Sequence, residues 1–304
     1  MADHVLGPET ALILVLNRKY LTPAKVLLYS LSHQRTLQGC ALVIITDDAR
    51  VAADPFFTAY AHEIVLLSAD DLAPLGAIRG DAIDPALRVS FAPKYTFLKL
   101  FALKPRGYAR HIVLDCDLVC LGAADEDLLA RAFPAKAALE TRGADFPLPG
   151  EIGLTLDALK AKRIVNAREA PIECAAPAKR INSGFLVLEP PMIAQETFAR
   201  ALELAASEPF DQEQALTTRL IREVASSFCT LPIWCNAKRR VFESLGEDFF
   251  QANRGKIQFL HFIPGKPWNA RPEEHTYLDR IWLDLHDAAI PWAEEIASLG
   301  ENRM

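Results

Sequence analysis

Five short runs of Val, Ile, Leu and Ala recur along the chain, each closing on polar residues. They are ALILVLN (11–17), CALVIITDD (40–48), EIVLLS (63–68), RHIVLDCD (110–117) and GFLVLEP (184–190). Their apolar residues are continuous rather than alternating, the pattern of strands buried on both faces. Segments with helical spacing separate them, over 23–34, 93–103 and 192–207, and Pro23 suits a first helical turn, where its missing N–H costs nothing. Strands alternating with helices predict an α/β fold, a mostly parallel sheet with helices on both faces.

The bulk properties agree with such a fold. Apolar residues make up 51% of the 304 positions, enough for a large core, and the formal net charge of −6 excludes a general nucleic-acid binder. The six cysteines, Cys40, Cys116, Cys120, Cys174, Cys229 and Cys235, form no Cys-x-x-Cys, so reduced thiols rather than zinc or disulfides are expected. The opening residues carry Asp3 and Glu9 where a secretory leader would be basic, and no apolar stretch reaches membrane-spanning length. Together these predict a soluble, cytoplasmic protein with no transmembrane segment. Residues 1–270 read as one domain, in which 140–179 is an excursion without a clear strand that faces the acceptor side. Residues 271–304 read as a helical appendage interrupted at Pro291; with three Arg against eight Asp or Glu, it suits its own domain or the second copy in a homodimer better than anionic lipid.

Against this background HIVLDCDLVCLG (111–122) stands out, because an apolar strand has no reason to end in two carboxylates two positions apart. Strand ends are where open α/β sheets bind ligands, and the i, i+2 spacing aims Asp115 and Asp117 to one side. Hard divalent cations take such oxygens together with substrate phosphates. A lone Asp there would serve as an acceptor for backbone N–H groups; two point to a cation. A haloacid-dehalogenase-like phosphatase also opens on Asp-x-Asp, but it needs a later acidic pair, and the adjacent pairs Asp47–Asp48 and Asp70–Asp71 both precede the motif.

Five pieces, VLDCDLV, RINSGFLVLEP, DQEQALTTRL, LPIWCNAK and HFIPGKPW, follow one another from Asp115 to Trp268 as they do in family 8 glycosyltransferases, which the chain resembles. LVLNRKY and YTFLKL fit more loosely. The resemblance implies the GT-A (Rossmann-like) fold, a UDP-sugar donor, Mn²⁺ or Mg²⁺, a carbohydrate or other hydroxyl acceptor, and retention of anomeric configuration. It places Asp115, Asp117 and His261 on the metal, and an imidazole beside two carboxylates suits Mn²⁺. Cys116 falls within the nucleotide-binding stretch, although strand alternation directs its thiol to the core.

The same resemblance sets Gly265 and Lys266 at the diphosphate, Tyr20 on the uracil with Asn17 beside it, and Lys99 at donor phosphate or sugar, with Lys94 as its rival. Asp47 would face base or ribose. Asn182 and Gly184, with Ser183 between them, would lie by the donor sugar, in a polar triplet read either as a sheet-edge site or as a turn. Asp211 would bind sugar hydroxyls, unless it only caps the following helix. Gln212 would lie near the anomeric carbon, and Asn236 would contact sugar or acceptor. Pro267 and Trp268 would hold the loop. One departure stands out: the family spacing His-x-x-Gly-x-x-Lys-Pro-Trp is here His-x-x-x-Gly-Lys-Pro-Trp, one residue shorter between His261 and Lys266. The expected activity is a retaining hexosyl transfer, with a non-catalytic nucleotide-sugar binder as the alternative.

Overall fold

The computed structural model describes residues 5–77, 96–140 and 171–301. Lys94 and all but the ends of the 140–179 excursion lie outside these residues. An eight-stranded sheet in the order β3-β2-β1-β4-β8-β6-β9-β7 forms the centre. β1 (Thr10–Val15), β2 (Ala41–Thr46), β3 (Glu63–Leu66) and β4 (Arg110–Leu114) run parallel, with β1 between β2 and β4. The chain therefore builds outwards from β1 in one direction and then returns to its other side. The carboxyl ends of β1 and β4 consequently flank a crevice at a topological switch point.

β8 (Ile181–Leu188) is antiparallel to β4 and to β6 (Ala135–Leu139), and β9 (Phe228–Thr230) runs parallel to β6. The 140–179 excursion, expected to hold no clear strand, contributes the short edge strand β7 (Ile172–Cys174), antiparallel to β9; its three residues are too few to show a periodicity. The reversal of β8 matters for position. Its first residues, not its last, lie at the carboxyl end of β4, where Asp115 N–H donates to the Gly184 carbonyl at 2.9 Å. The polar triplet Asn182–Gly184 is thus neither a turn nor a sheet edge. It is the buried first half of a central strand.

Helices cover both faces. On one side α1 (Leu21–His33), with Pro23 in its first turn, and α2 (Pro55–Tyr60) pack with Leu12, Leu14, Leu42 and Ile44. On the other, α3 (Gln195–Ser207) and α4 (Glu213–Val224) pack with Ile13, Val43, Val113 and Leu186. The segment 93–103, expected to be helical, is helical from residue 96 onwards, α-helical at 96–97 and a 3₁₀ helix over Leu98–Leu103; residues 93–95 lie outside the described residues. Leu98, Leu100, Phe101, Ala102 and Leu103 are all buried. Burial on nearly every side matches a tight three-residue turn better than an amphipathic α-helix with one wet face.

A three-stranded sheet, β10 (Ala237–Lys238), β11 (Phe259–His261) and β5 (Leu118–Cys120), stands beside the first. β5 begins directly after the acidic pair, and antiparallel pairing sets His261 opposite Leu118. α5 (Arg239–Leu245) and the C-terminal α6 (Tyr277–Glu301) pack over it through Phe242, Leu278 and Trp282. α6 is one continuous helix and is not interrupted at Pro291. The proline is exposed, so its lost hydrogen bond falls on the solvent side. Next to it, the Trp292 ring packs on Phe56, Tyr60 and Tyr29 with centroids 5.2–5.6 Å apart and holds the helix down. Among the described residues no helix is long and apolar enough to cross a membrane, and all six cysteines are free thiols.

Candidate metal and nucleotide site

Two neighbouring backbones deliver the acids. β4 ends at Leu114, so Asp115 projects from the crevice; Asp117 precedes β5, and its carbonyl accepts Phe262 N–H at 2.9 Å. That bond and the β5–β11 register bring His261 against the acids. His261 Nε2 lies 3.2 Å from Asp117 Oδ1 and 3.8 Å from Asp115 Oδ2. Ligand atoms from all three residues fall within 4.8 Å of one another. His261 is 2% exposed, and its buried Nε2 has no hydrogen-bond partner. The expected ligand set is therefore brought together, with an unused donor atom aimed at two carboxylates.

Close approach to β8 requires Gly184. A Cβ there would lie 2.3 Å from His261 Cε1 and 2.7 Å from Nδ1, contacts that no rotamer change at residue 184 relieves. Cys116 packs in the apolar core with Leu14 and Leu118, and its thiol is not among the converging ligands. Burial, reinforced by Asp115 and Asp117, pushes that thiol far above its ordinary value, leaving it a neutral core residue.

Two lysines flank the acids. Lys266 Nζ donates to Asp117 Oδ2 and, at 2.8 Å, to the Phe262 carbonyl. The shortened His261–Lys266 spacing thus still delivers this lysine to the acidic pair. Lys99 Nζ sits 2.6 Å from Asp115 Oδ1, 3.3 Å from Glu213 Oε1 and 3.1 Å from Ser183 Oγ. It is a half-buried hub and not a solvent-facing lysine.

The two carboxyls respond oppositely. Burial raises Asp115, and the nearby Asp117 charge adds to this, so it stays raised despite Lys99. Burial would raise Asp117 as well, but His261 and Lys266 outweigh it and hold that carboxyl well below the usual range. For Lys99, burial works against the charge, yet Asp115 and Glu213 prevail and keep the ammonium charged.

The other expected residues distribute unevenly. Asn17, just after β1, caps a 3₁₀ turn over Arg18–Tyr20, its side chain accepting Lys19 N–H at 3.0 Å. Tyr20 is half-buried and edge-on to Trp268, with centroids 6.0 Å apart. Burial, then the fields of Asp117 and Asp115, raises its phenol, which registers how near the ring is to the acidic pair. Pro267 is buried, and Trp268 is wedged between Tyr20 and Trp282. Gly265 passes Arg239 so closely that a Cβ would sit 3.1 Å from the guanidinium.

Asp47 follows the end of β2 and is half-buried. Asp211 does not cap α4; its carboxylate accepts from Arg180, and Gln212 occupies the cap position without a side-chain cap bond. Gln212 Oε1 accepts instead from Gln214 Nε2 at 2.7 Å. Asn182 and Asn236 are buried and bonded to each other, Asn236 Nδ2 donating to Asn182 Oδ1 at 2.7 Å.

Sequence reasoning missed three charged residues here. Glu213 binds Lys99 and Ser183, and the buried Lys238 pairs with Glu140. Glu213 looks like an ordinary favourable acid in a first helical turn, and Lys238 heads a basic run that reads as solvated. Only the buried Ser-Gly face of β8 opposite them could have hinted otherwise.

No family model and no curated protein matches the chain. Solved glycosyltransferase structures do. The WbbM bifunctional glycosyltransferase aligns with a TM-score of 0.58 at 15% identity, over 97% of this chain and 52% of that one. GlyE of Streptococcus pneumoniae aligns at 0.57 and 14%, over 96% and 63%. The galactosyltransferase LgtC, in complex with donor and acceptor sugar analogs, aligns at 0.56 and 11%, over 91% and 95%. The chain thus spans about half the length of the first, under two thirds of the second and nearly all of the third. At such identities the likeness is one of fold: the chain has the α/β, GT-A fold that these glycosyltransferases share.

Proposed function

We propose that the protein is a metal-dependent retaining glycosyltransferase of the family 8 kind, moving a hexose from a UDP-sugar to a hydroxyl acceptor, most simply on a glycan. The observation that carries this reading is the convergence of Asp115, Asp117 and the Nε2 of His261, which makes no hydrogen bond, at a topological switch point. Two carboxylates and an imidazole are a fitting donor set for Mn²⁺, with Mg²⁺ as the harder alternative. These three residues would hold the ion. When bound, a divalent cation neutralises a diphosphate and makes UDP a better leaving group.

The chain's own residues supply the rest of the chemistry. Lys266 carries a point charge beside Asp117, suited to a phosphate oxygen, and Lys99 does the same beside Asp115. Tyr20 and Asn17, at the end of β1, suit the uracil. Asp211 and Asn182 border the position for sugar hydroxyls, with Gln212 toward the anomeric carbon. An amide such as Gln212 is a poor nucleophile, and Asp211 and Glu213 are both held in ion pairs. That favours front-face transfer, in which the acceptor oxygen enters on the side from which UDP leaves and the leaving phosphate takes its proton. A dehalogenase-like phosphatase is disfavoured because what faces the two aspartates is an imidazole and two lysines.

Asp117→Asn tests the reading. Calorimetry with UDP, with and without Mn²⁺, should show that Mn²⁺ tightens UDP binding to the wild type and no longer does so in the variant, while circular dichroism stays unchanged. Slow Mn²⁺-dependent hydrolysis of UDP-glucose or UDP-galactose by the wild type is the companion expectation. An undiminished Mn²⁺ effect in the variant would overturn the assignment; Mn²⁺-dependent UDP binding with no hydrolysis would leave a binding protein without turnover.

A further inference from the structure

Behind His261 runs a chain of bonded side chains, buried at Asn236, Asn182 and Lys238 and half-buried at Glu140. Lys238 Nζ pairs with Glu140 Oε1, and Glu140 Oε2 accepts Asn182 Nδ2 at 2.8 Å. Asn182 Oδ1 accepts Gly184 N–H at 3.0 Å and Asn236 Nδ2 at 2.7 Å. Asn236 Oδ1 then faces His261 Nδ1 at 2.8 Å.

Both ends of the Asn182 amide meet groups with only one possible role. The Gly184 backbone can only donate, and a carboxylate held by an ammonium can only accept. Asn182 therefore has one orientation, and it presents an acceptor to Asn236. Asn236 must then turn its NH₂ towards Asn182 and its oxygen towards His261. An acceptor oxygen opposite Nδ1 requires a proton on Nδ1, so in the neutral ring, the form that a metal takes, the lone pair falls on Nε2, the atom directed at Asp115 and Asp117.

We propose that Glu140 and Lys238 are positioning residues that, through Asn182 and Asn236, hold His261 as the Nδ1–H tautomer and reserve Nε2 as a metal donor. The inference rests on the reading of Asp115, Asp117 and His261 as a cation site. It gives Asn182 and Asn236 a task besides sugar contact and explains an ion pair between the buried Lys238 and the half-buried Glu140 so close to the site.

The test uses the full chain with ¹⁵N-labelled histidine. Long-range ¹H–¹⁵N correlations of the metal-free protein at alkaline pH read the tautomer, and Mn²⁺ titration followed by electron paramagnetic resonance reads the affinity. The wild type should show Nδ1–H at His261. Glu140→Gln and Lys238→Met should each weaken Mn²⁺ binding about tenfold, the lower end of what outer-sphere partners contribute. Asn236→Leu should shift His261 to Nε2–H and weaken binding about a hundredfold, and Asn236→Asp, which restores an acceptor opposite Nδ1, should recover the tautomer.

Wild-type protein that binds Mn²⁺ with its proton on Nε2 would overturn the relay alone. The relay would equally fall if Glu140→Gln and Lys238→Met both bound Mn²⁺ like the wild type. Wild-type protein that binds no Mn²⁺ even with UDP present would instead overturn the cation site. The wild-type spectrum decides the tautomer even if Asn236→Leu does not fold.

Discussion

Gly184 shows how much a single residue can carry. Its missing side chain is where His261 sits, since an added Cβ would meet Cε1 at 2.3 Å and Asn182 Oδ1 at 2.9 Å. The intruding atom would face an imidazole on one side and a central β-strand on the other, so neither can retreat cheaply. Gly184→Ala should therefore cost about 1–3 kcal/mol of stability, as overpacking of a close-packed interior does. The larger effect should be on function: displacing His261 removes one of three candidate ligands. Mn²⁺-dependent UDP binding should fall at least tenfold in a variant that is still folded at the assay temperature, as judged by circular dichroism. Wild-type binding in a folded Gly184→Ala would mean that His261 is not a ligand. The neighbouring lysines make a related point about charge. Lys99 and Lys266 each neutralise one aspartate, so burial of the acids is balanced on both sides before any ligand is considered.

At the scale of elements, β4 joins the site to a buried histidine on the same strand. His111 is wholly buried, its Nδ1–H donating to the Ala102 carbonyl at 2.7 Å, while Nε2 has no partner. Burial, only partly offset by that bond, lowers its pKa from 6.5 to about 4. The unfolded chain therefore takes up the proton first. The contribution of His111 to stability is complete above pH 6.5, declines as pH falls from there, and is gone below about 4. A shift of this size corresponds to at most about 3 kcal/mol. His111→Gln, which keeps a donor for Ala102, should lower stability at neutral pH and flatten its decline between these limits; chemical denaturation across that range measures both. An unchanged acid slope would assign the decline to other groups. The strands themselves were legible because β1, β2 and β4 are apolar and buried on both faces; β3, at the sheet edge, shows the same apolar run but is only half-buried, with Leu66 exposed. β8 was legible only from Gly184 onwards, because the residues before it, Asn182 and Ser183, are polar yet buried, Ser183 against Glu213. β5, β10 and β11 are two or three residues long and leave almost no periodicity, so His261 could be set beside the two aspartates only through resemblance, and its register opposite Leu118 was not legible at all. Pro291 misled for a simple reason: sequence shows the lost hydrogen bond but not the Trp292 packing beside it.

At the scale of the molecule, the C-terminal helix reaches the candidate nucleotide site through rings. Trp282 of α6 is 2% exposed and lies 5.0 Å from Trp268, which meets Tyr20 edge-on at 6.0 Å. Trp268 follows directly on Lys266–Pro267, so the same packing also fixes the loop that delivers Lys266 to Asp117. On the proposed reading Tyr20 meets the uracil, and the last helix then sets how firmly the base platform is held. Trp282→Leu should separate the two halves of the site. Loss of a buried indole should cost about 3 kcal/mol of stability, visible as a lower thermal midpoint. In the folded variant, UDP affinity in the presence of Mn²⁺ should fall several-fold, while Mn²⁺ affinity without nucleotide stays at the wild-type value, since Asp115, Asp117 and His261 are held by β4, β5 and β11. Trp282→Phe, which keeps an aromatic ring against Trp268, should restore most of the UDP affinity. If Trp282→Leu loses stability but binds UDP like the wild type, α6 supports the core without supporting Tyr20. A parallel loss of Mn²⁺ and UDP affinity would instead show that the ring stack and the cation site form one unit through Lys266.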